Sequence, residues 1–389
     1  MRKALIAGLL ALLVSPAAAQ QTVKIGLIMP YSGQFADTAT QMDNAIKLYV
    51  KEHGDTVAGR KIEFIRKDSG GIAPDVAKRL AQELVVRDKV DILGGLILTP
   101  NALAIGDISA EAKKFTVIMN AATSIITTKS PYMARTSVTT PMLNQRLGTW
   151  AVKSGSKKIY SMVSDYGPGH DAEGAFQLGV KEAGGEIVGS VRFPVANPDF
   201  SAFVQRAKDT NPDSIYIWIP GGTQPAAVGK ALTERGIDPK KIRVMGQDVL
   251  ADDSALKSMG DVAEGIITAA HYDYNHPSDK NKAFVKGFNE ISNGRNPDIF
   301  SIGGYDGIHL IYETLKKTGG KADGDSLIAA AKGMKWESPR GPVQIDPETR
   351  DIILTVYIDK VTKTPQGLRN VEIDKVENVK DPVKARMAK

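Results

Sequence analysis

Residues 90–127 read VDILGGLILTPNALAIGDISAEAKKFTVIMNAATSIIT, and this stretch decides the fold. An apolar strand over 91–93 runs into Gly94-Gly95, and a helix opens at Thr99-Pro100. Thr99 is placed to cap that helix, with Pro100 at its first position, where the missing N–H costs nothing. A second strand over 115–119 ends in Asn120-Ala121-Ala122-Thr123-Ser124. Strand, helix and strand at this length make a βαβ unit, and hence a parallel sheet. In open α/β sheets ligands dock outside the carboxyl ends of the strands, where small residues expose backbone N–H groups and hydroxyls. Two such ends fall within this one unit, so a small molecule is expected to bind here.

The same alternation extends in both directions. Upstream, 23–29 (VKIGLIM) is a first strand, and the loop Pro30 to Phe35 sits at its carboxyl end. A helix over 38–53 carries Met42, Ala45, Ile46 and Tyr49 at helical spacing. A strand over 61–66 and a proline-initiated helix over 74–89 follow. Downstream, a second series begins with a helix over 142–153 and a strand over 158–164 that ends at Asp165-Tyr166-Gly167-Pro168-Gly169. Strands over 186–193, 214–219 and 242–245 alternate with helices to complete it. The last third holds helices over 279–292 and 301–317, then β-rich runs over 343–345 and 352–359, too little for a third domain. The expected fold is therefore α/β, two doubly wound parallel-sheet lobes joined by a hinge of several crossings. The first lobe is expected to take 20–140 plus 272–341, and the second 141–271 plus 342–389.

Composition narrows the class. The 389 residues carry 50 Lys and Arg against 44 Asp and Glu, a formal charge of +6, spread along the chain. The one basic concentration, DKVENVKDPVKARMAK at the C-terminus, interleaves acids and has no aromatic residue, which speaks against nucleic-acid binding. There is no cysteine, so disulfides, a lipid-anchor thiol and thiolate metal sites are all excluded. At the N-terminus, Arg2-Lys3 precedes an apolar run over 4–14 and an Ala17-Ala18-Ala19 cleavage site before Gln20. That is a signal peptide over 1–19, too short to span a bilayer, which needs about 20 residues. A soluble periplasmic protein is expected.

Five segments carry a family resemblance: VKIGLIMPYSG from Val23, GRKIEFIRKDSGG from Gly59, DYGPGHDAEGAF from Asp165, VMGQD from Val244 and VYIDKVTKT from Val356. In that order and spacing the chain resembles the periplasmic solute-binding subunits of ABC transporters, in the type I family of leucine/isoleucine/valine-binding proteins. The resemblance implies two lobes joined by three crossovers and closing on a ligand. It also implies a membrane permease as partner, a monomer, no catalysis and no cofactor. Residue by residue, Ala121-Ala122-Thr123 matches the turn that holds the ligand's polar head, and Tyr166 a second-lobe tyrosine that closes over it. Gly222-Thr223-Gln224 matches a further second-lobe contact, Asp248 an acid facing an ammonium group, and Phe300 an aromatic near the ligand. One departure stands out: where amino-acid binders hold the carboxylate with a serine, this chain has Leu98 or Thr99.

The remaining residues are read on their own terms. Tyr31 and Phe35 flank the glycine loop after the first strand and form a candidate aromatic wall. Trp150 and Tyr305 are read as core. His271 and His276 (HYDYNH) lack a third ligand at metal spacing and are read as a crossover between lobes, with no metal. His170-Asp171 stands without a nucleophile elbow, phosphate loop or paired carboxylates, so an enzyme is not expected. The expected ligand is a small organic carboxylate with an apolar body, either an aromatic acid or an apolar amino acid. The alternatives are an exported sensing subunit that shows such a solute to a receptor, and an exported enzyme.

Overall fold

The computed structural model describes residues 22–387; the expected signal peptide lies outside them. In chain order the first segment gives β1 (Val23–Met29), α1 (Ala36–His53), β2 (Thr56–Val57), β3 (Arg60–Asp68), α2 (Pro74–Val86), β4 (Ile92–Gly95), α3 (Thr99–Glu111), β5 (Phe115–Ile118) and β6 (Met133–Arg135). These strands form one sheet in the order β2-β3-β1-β4-β5-β6, parallel throughout except for the short β2. The second segment gives α4 (Thr140–Lys153), β7 (Lys158–Ser164), α5 (Gly167–Glu182), β8 (Glu186–Phe193), α6 (Phe200–Asp209), β9 (Ser214–Trp218), α7 (Gln224–Glu234), β10 (Arg243–Gln247), α8 (Asp253–Met259) and β11 (Ile267–Ala270). Its strands pair in parallel as β8-β7-β9-β10-β11. Each sheet reverses its strand order next to its first strand, between β1 and β4 and between β7 and β9. Such switch points open a crevice beyond the strand ends.

The chain then returns to both layers. Helices α9 (Asp279–Ile291), α10 (Ile299–Lys317) and α11 (Gly324–Ala331) pack on the first, α9 and α10 against α1 and α11 against β5. Gly303 and Gly304 make the α10 contact possible. A Cβ at Gly303 would lie 2.1 Å from the Met119 carbonyl oxygen, and one at Gly304 2.8 Å from Met42. Strands β12 (Lys335–Ser338), β13 (Gly341–Ile345), β14 (Ile352–Thr364) and β15 (Gly367–Val379) extend the second sheet antiparallel to it. The helix α12 (Pro382–Met387) closes the described chain.

One expectation is corrected. Residues 272–341 were assigned together to the first lobe, but β12 pairs with β13 in the second sheet, Lys335 opposite Gln344 and Ser338 opposite Gly341. The return crossing therefore falls between α11 and β12. A four-residue strand followed by a tight turn at Gly341 (φ +94°) leaves too short a pattern to read from sequence. The C-terminal stretch is regular structure. Its first part pairs along β14 in β15, and Lys384 of α12 is buried against Asp351 and Thr127. The chain thus passes between the two sheets three times: before α4, after β11 and before β12.

Candidate functional site

The facing carboxyl ends of the two sheets enclose a cleft, and both layers supply its walls. From the first come Phe35 and Thr38 beside the β1 loop, Ile97, Leu98 and Thr99 after β4, and Asn120 and Ala122 after β5. From the second come Tyr166 and Pro168 after β7, Trp218, Ile219 and Pro220 after β9, Gln247 and Val249 after β10, and His271 after β11. Val138 at the first crossing and Ile299 and Phe300 at the start of α10 complete the lining. Four of these residues are aromatic rings. Among the described residues no Asp, Glu, Lys or Arg lines the cleft.

The first-layer wall is built by two linked turns. Gly95 (φ +86°) and Leu96 (φ +57°) swing the chain out of β4; a Cβ at Gly95 would meet Met29 at 2.7 Å. The left-handed geometry is strained for leucine and is held by its neighbours. The Leu96 carbonyl accepts the Ala121 N–H at 2.9 Å, and the Asn120 side chain donates to the Ile97 carbonyl at 2.9 Å. Behind them Arg135, fully buried, donates to the carbonyl oxygens of Ala121 and Thr123 at 2.8 and 2.9 Å.

Thr99 was expected to cap α3. Instead Leu98 is the cap residue and Thr99 the first helical position, so its hydroxyl is free to face the cleft. Oγ1 of Thr99 is buried without a hydrogen-bond partner among the described residues, and the buried Oγ1 of Thr123 approaches the Asp171 carboxyl. Both lie beside the N-terminus of α5: a Cβ at Gly167 would sit 3.8 Å from Thr123 Oγ1 and 3.9 Å from Thr99 Cγ2. Neither α3 nor α5 has a side-chain cap, a feature shared with α1, α2 and α7, while α6, α8, α9, α10 and α11 are capped by Asp or Ser. Uncapped helix starts present N–H groups and a partial positive charge, which suit a carboxylate.

The second-layer wall is more rigid. Tyr166 and Trp218 pack with ring centroids 5.8 Å apart, and burial raises the Tyr166 phenol well above its ordinary value. Trp218 Nε1 donates to Gln247 Oε1 at 2.8 Å, and Asn144 donates to the same oxygen at 3.3 Å. With its oxygen so engaged, the Gln247 amide is left with donors. His271 is fully buried, and its Nδ1 lies 2.8 Å from Arg340 Nη1. Arg340 has no acceptor to offer, so Nδ1 accepts and the imidazole proton sits on Nε2. Burial, and then the Arg340 charge, hold the ring's pKa well below its usual value. Arg340 is itself fixed by Asp306 and by the Thr136 carbonyl.

Of the residues expected from sequence, Phe35, Leu98, Thr99, Ala122, Tyr166 and Phe300 meet in the cleft. Thr123 is buried at its edge. Ala121 is turned away, into the apolar cluster under α2 and α3. Tyr31 packs against the first core with its hydroxyl buried, so it is no wall of the cleft. Gly222 instead seals the mouth, where a Cβ would lie 3.0 Å from the Gln34 carbonyl. Thr223 is exposed, and Gln224 is buried but donates to the Val195 carbonyl at 2.7 Å. Asp248 lines a neighbouring chamber with Asp273, Asp298 and Asp359 rather than the cleft itself. Trp150 is only partly buried and stacks under Arg243, while Tyr305 is core. His276 contacts Ser278. Sequence reading passed over Trp218, Gln247 and His271 as contacts, although each stands at a strand's carboxyl end.

Two doubly wound layers, three chain crossings and a shared cleft define a two-lobed solute-binding protein. The chain belongs to the periplasmic binding protein family, whose model matches residues 22–366. It is 40% identical over 372 residues to the Leu/Ile/Val-binding protein homolog 6 of Brucella melitensis, covering 95% of each chain. A solute-binding protein of an ABC transporter from Rhodopseudomonas palustris BisB5, solved with 3,4-dihydroxybenzoic acid, superposes with a TM-score of 0.90. It is 52% identical, over 93% of this chain and 99% of that one. A second from R. palustris, solved with 4-hydroxybenzoate, gives a TM-score of 0.90 at 39% identity, over 94% and 100%. This is a family of solute-binding proteins, not of enzymes.

Proposed function

We propose that this chain is the periplasmic subunit of an ABC importer and captures a small aromatic carboxylate between its lobes. The observation that carries this reading is the lining of the cleft: the rings of Phe35, Tyr166, Trp218 and Phe300, no charged side chain, and two uncapped helix starts. A flat ring packs against aromatic walls, and a carboxylate is met by the α3 and α5 N–H groups with Thr99, Thr123 and the Gln247 amide. Micromolar capture requires about −8 kcal/mol net, within reach of a buried ring and several charge-assisted hydrogen bonds. The relatives solved with hydroxybenzoates support the same chemistry.

An apolar amino acid fits less well. Its ammonium would need a fully ionised acid, yet burial lifts the Asp248 carboxyl to about 7, so the acid is only partly ionised near neutrality. In this reading residues 1–19 are a cleaved export signal, the mature protein is a periplasmic monomer, and the permease recognises its closed form. Ligand contacts to both lobes exist only when they are together, and that differential affinity drives closure. A thermal-shift panel tests the ligand class. Benzoates at about 100 times their dissociation constant stabilise the protein by about 2.7 kcal/mol, while leucine, isoleucine and sugars leave the melt unchanged. A shift with leucine alone overturns the aromatic reading.

A further inference from the structure

At the end of the cleft lined by His271, an unmatched donor lies beside an unmatched acceptor, Asp248, of the neighbouring chamber. His271 Nε2 holds the ring proton, because Nδ1 accepts from Arg340, and it has no partner among the described residues. Asp248 Oδ2 also lacks a partner, while its Oδ1 accepts the Val249 N–H at 2.9 Å. The two unmatched atoms are 3.8 Å apart, too far for a mutual hydrogen bond. His271 is fully buried and Asp248 is 6% exposed, so bulk water does not satisfy them. Leaving a buried donor and a buried acceptor unmatched is destabilising. Sidedness matters too: the uncapped helix starts and threonine hydroxyls belong to α3, α5 and the turn after β5, whereas His271 and Asp248 follow β11 and β10.

A hydroxyl is the small group that accepts and donates at once. A carboxylate only accepts, an ammonium only donates, and a bare ring edge does neither. We propose that a ring hydroxyl of the bound aromatic acid bridges His271 Nε2 and Asp248 Oδ2, making this pair the determinant that selects hydroxylated over unsubstituted benzoates. The hydroxyl accepts from the imidazole N–H and donates to the carboxylate. Arg340 and Asp306 are positioning residues that hold the tautomer with its proton toward the ligand. Burial raises the Asp248 carboxyl to about 7, and the backbone N–H groups of Val249 and His271 with the Gln247 side chain act against it, toward the ionised, accepting form. This proposal rests on the aromatic-carboxylate reading and adds the hydroxyl requirement to it.

The test titrates benzoate, 3-hydroxybenzoate, 4-hydroxybenzoate, 3,4-dihydroxybenzoate and 4-methoxybenzoate into the wild type, His271→Leu and Asp248→Asn. At least one hydroxybenzoate binds the wild type about tenfold or more tighter than benzoate, as expected for one satisfied buried pair. The methoxy compound, which cannot donate, loses that advantage. Each variant abolishes the advantage of the preferred hydroxybenzoate over benzoate, the two compounds being compared within the same variant. Because His271→Leu strips Arg340 of a partner, the isosteric Asp248→Asn keeps the test valid if that variant fails to fold. In the wild type, nitrogen NMR of His271 shows a protonated Nε2 whose signal moves with hydroxybenzoate and not with benzoate. Equal binding of benzoate and every hydroxybenzoate overturns the proposal while sparing the aromatic reading, as does a preference that survives in the variants. Binding of leucine and of no benzoate overturns both.

Discussion

Arg135 Nε donates to Asp351 Oδ1 at 3.0 Å with both side chains essentially out of solvent, although one ends the last strand of the first sheet and the other precedes β14 of the second. Lys384 of α12 reaches the other oxygen of the same carboxylate, and the remaining Arg135 N–H groups hold the turn 121–124 at the cleft. A single buried acid thus ties the crossing region, the C-terminal helix and a wall of the site. Removing one partner strands buried charge, which costs about 3–5 kcal/mol. Asp351→Asn should lower the melting temperature strongly and also weaken ligand binding, since Arg135 loses its anchor. Calorimetric melting with a parallel titration checks both; an unchanged melt rules out this role.

The chamber behind the cleft makes stability depend on pH. Burial is the largest cause that pushes the carboxyls of Asp298, Asp248 and Asp359 up to about 6, about 7 and about 8. For Asp359 the neighbouring Asp273, Glu372 and Asp248 add to it. A carboxyl raised on folding contributes stability that is fully present below its unfolded value and is lost as pH rises through the folded one. The melting temperature should therefore fall between about pH 4 and pH 8, from the unfolded value to the highest folded one. Asp359→Asn, uncharged throughout, should melt above the wild type at the alkaline end and flatten the curve. A variant that melts alike at both ends would show that Asp359 carries no such penalty.

Much of this architecture was legible because its signals are local. Period-two and period-3.6 patterns alternate from Val23 onward, and each strand near the site runs into Gly, Pro or a small-residue turn. The strand ends marked the turns after β4, β5 and β7, and the family resemblance named Leu98, Thr99, Ala122 and Tyr166 within them. His271 was not legible as a contact because its role depends on Arg340, 69 positions away, which fixes the ring proton. Trp218 and Gln247 were passed over for a similar reason: their mutual hydrogen bond gives the indole and the amide their orientation. Tyr31 and Gln224 sit at plausible strand ends, but side-chain direction, set by packing, turns them from the cleft. The β12 hairpin failed on length alone.

Trp218 offers an optical readout. The chain has three tryptophans, and of these only Trp218 lines the cleft among the described residues. Ligand should change the intrinsic emission, and Trp218→Phe should abolish the change while keeping binding within about tenfold, since a ring still fills the wall. Emission changes that persist in the variant would place the ligand elsewhere.

Gly222 tests closure. Its φ of +67° and its approach to Gln34 across the mouth leave no room for a side chain when the lobes are together. Backbone strain of this kind costs about 1–2 kcal/mol. Gly222→Ala should weaken ligand binding about fivefold or more by disfavouring the closed form, an effect of about 1 kcal/mol. Solution scattering should show a larger radius of gyration at saturating ligand than in the wild type. Unaltered affinity and unaltered scattering would mean that closure does not run through this contact.

The most direct measurement is a calorimetric titration of the mature protein with 4-hydroxybenzoate and, separately, with leucine. The account predicts saturable one-to-one binding of the hydroxybenzoate with a dissociation constant at or below about a micromolar, and no heat from leucine. Saturable binding of leucine with none of the hydroxybenzoate would contradict it.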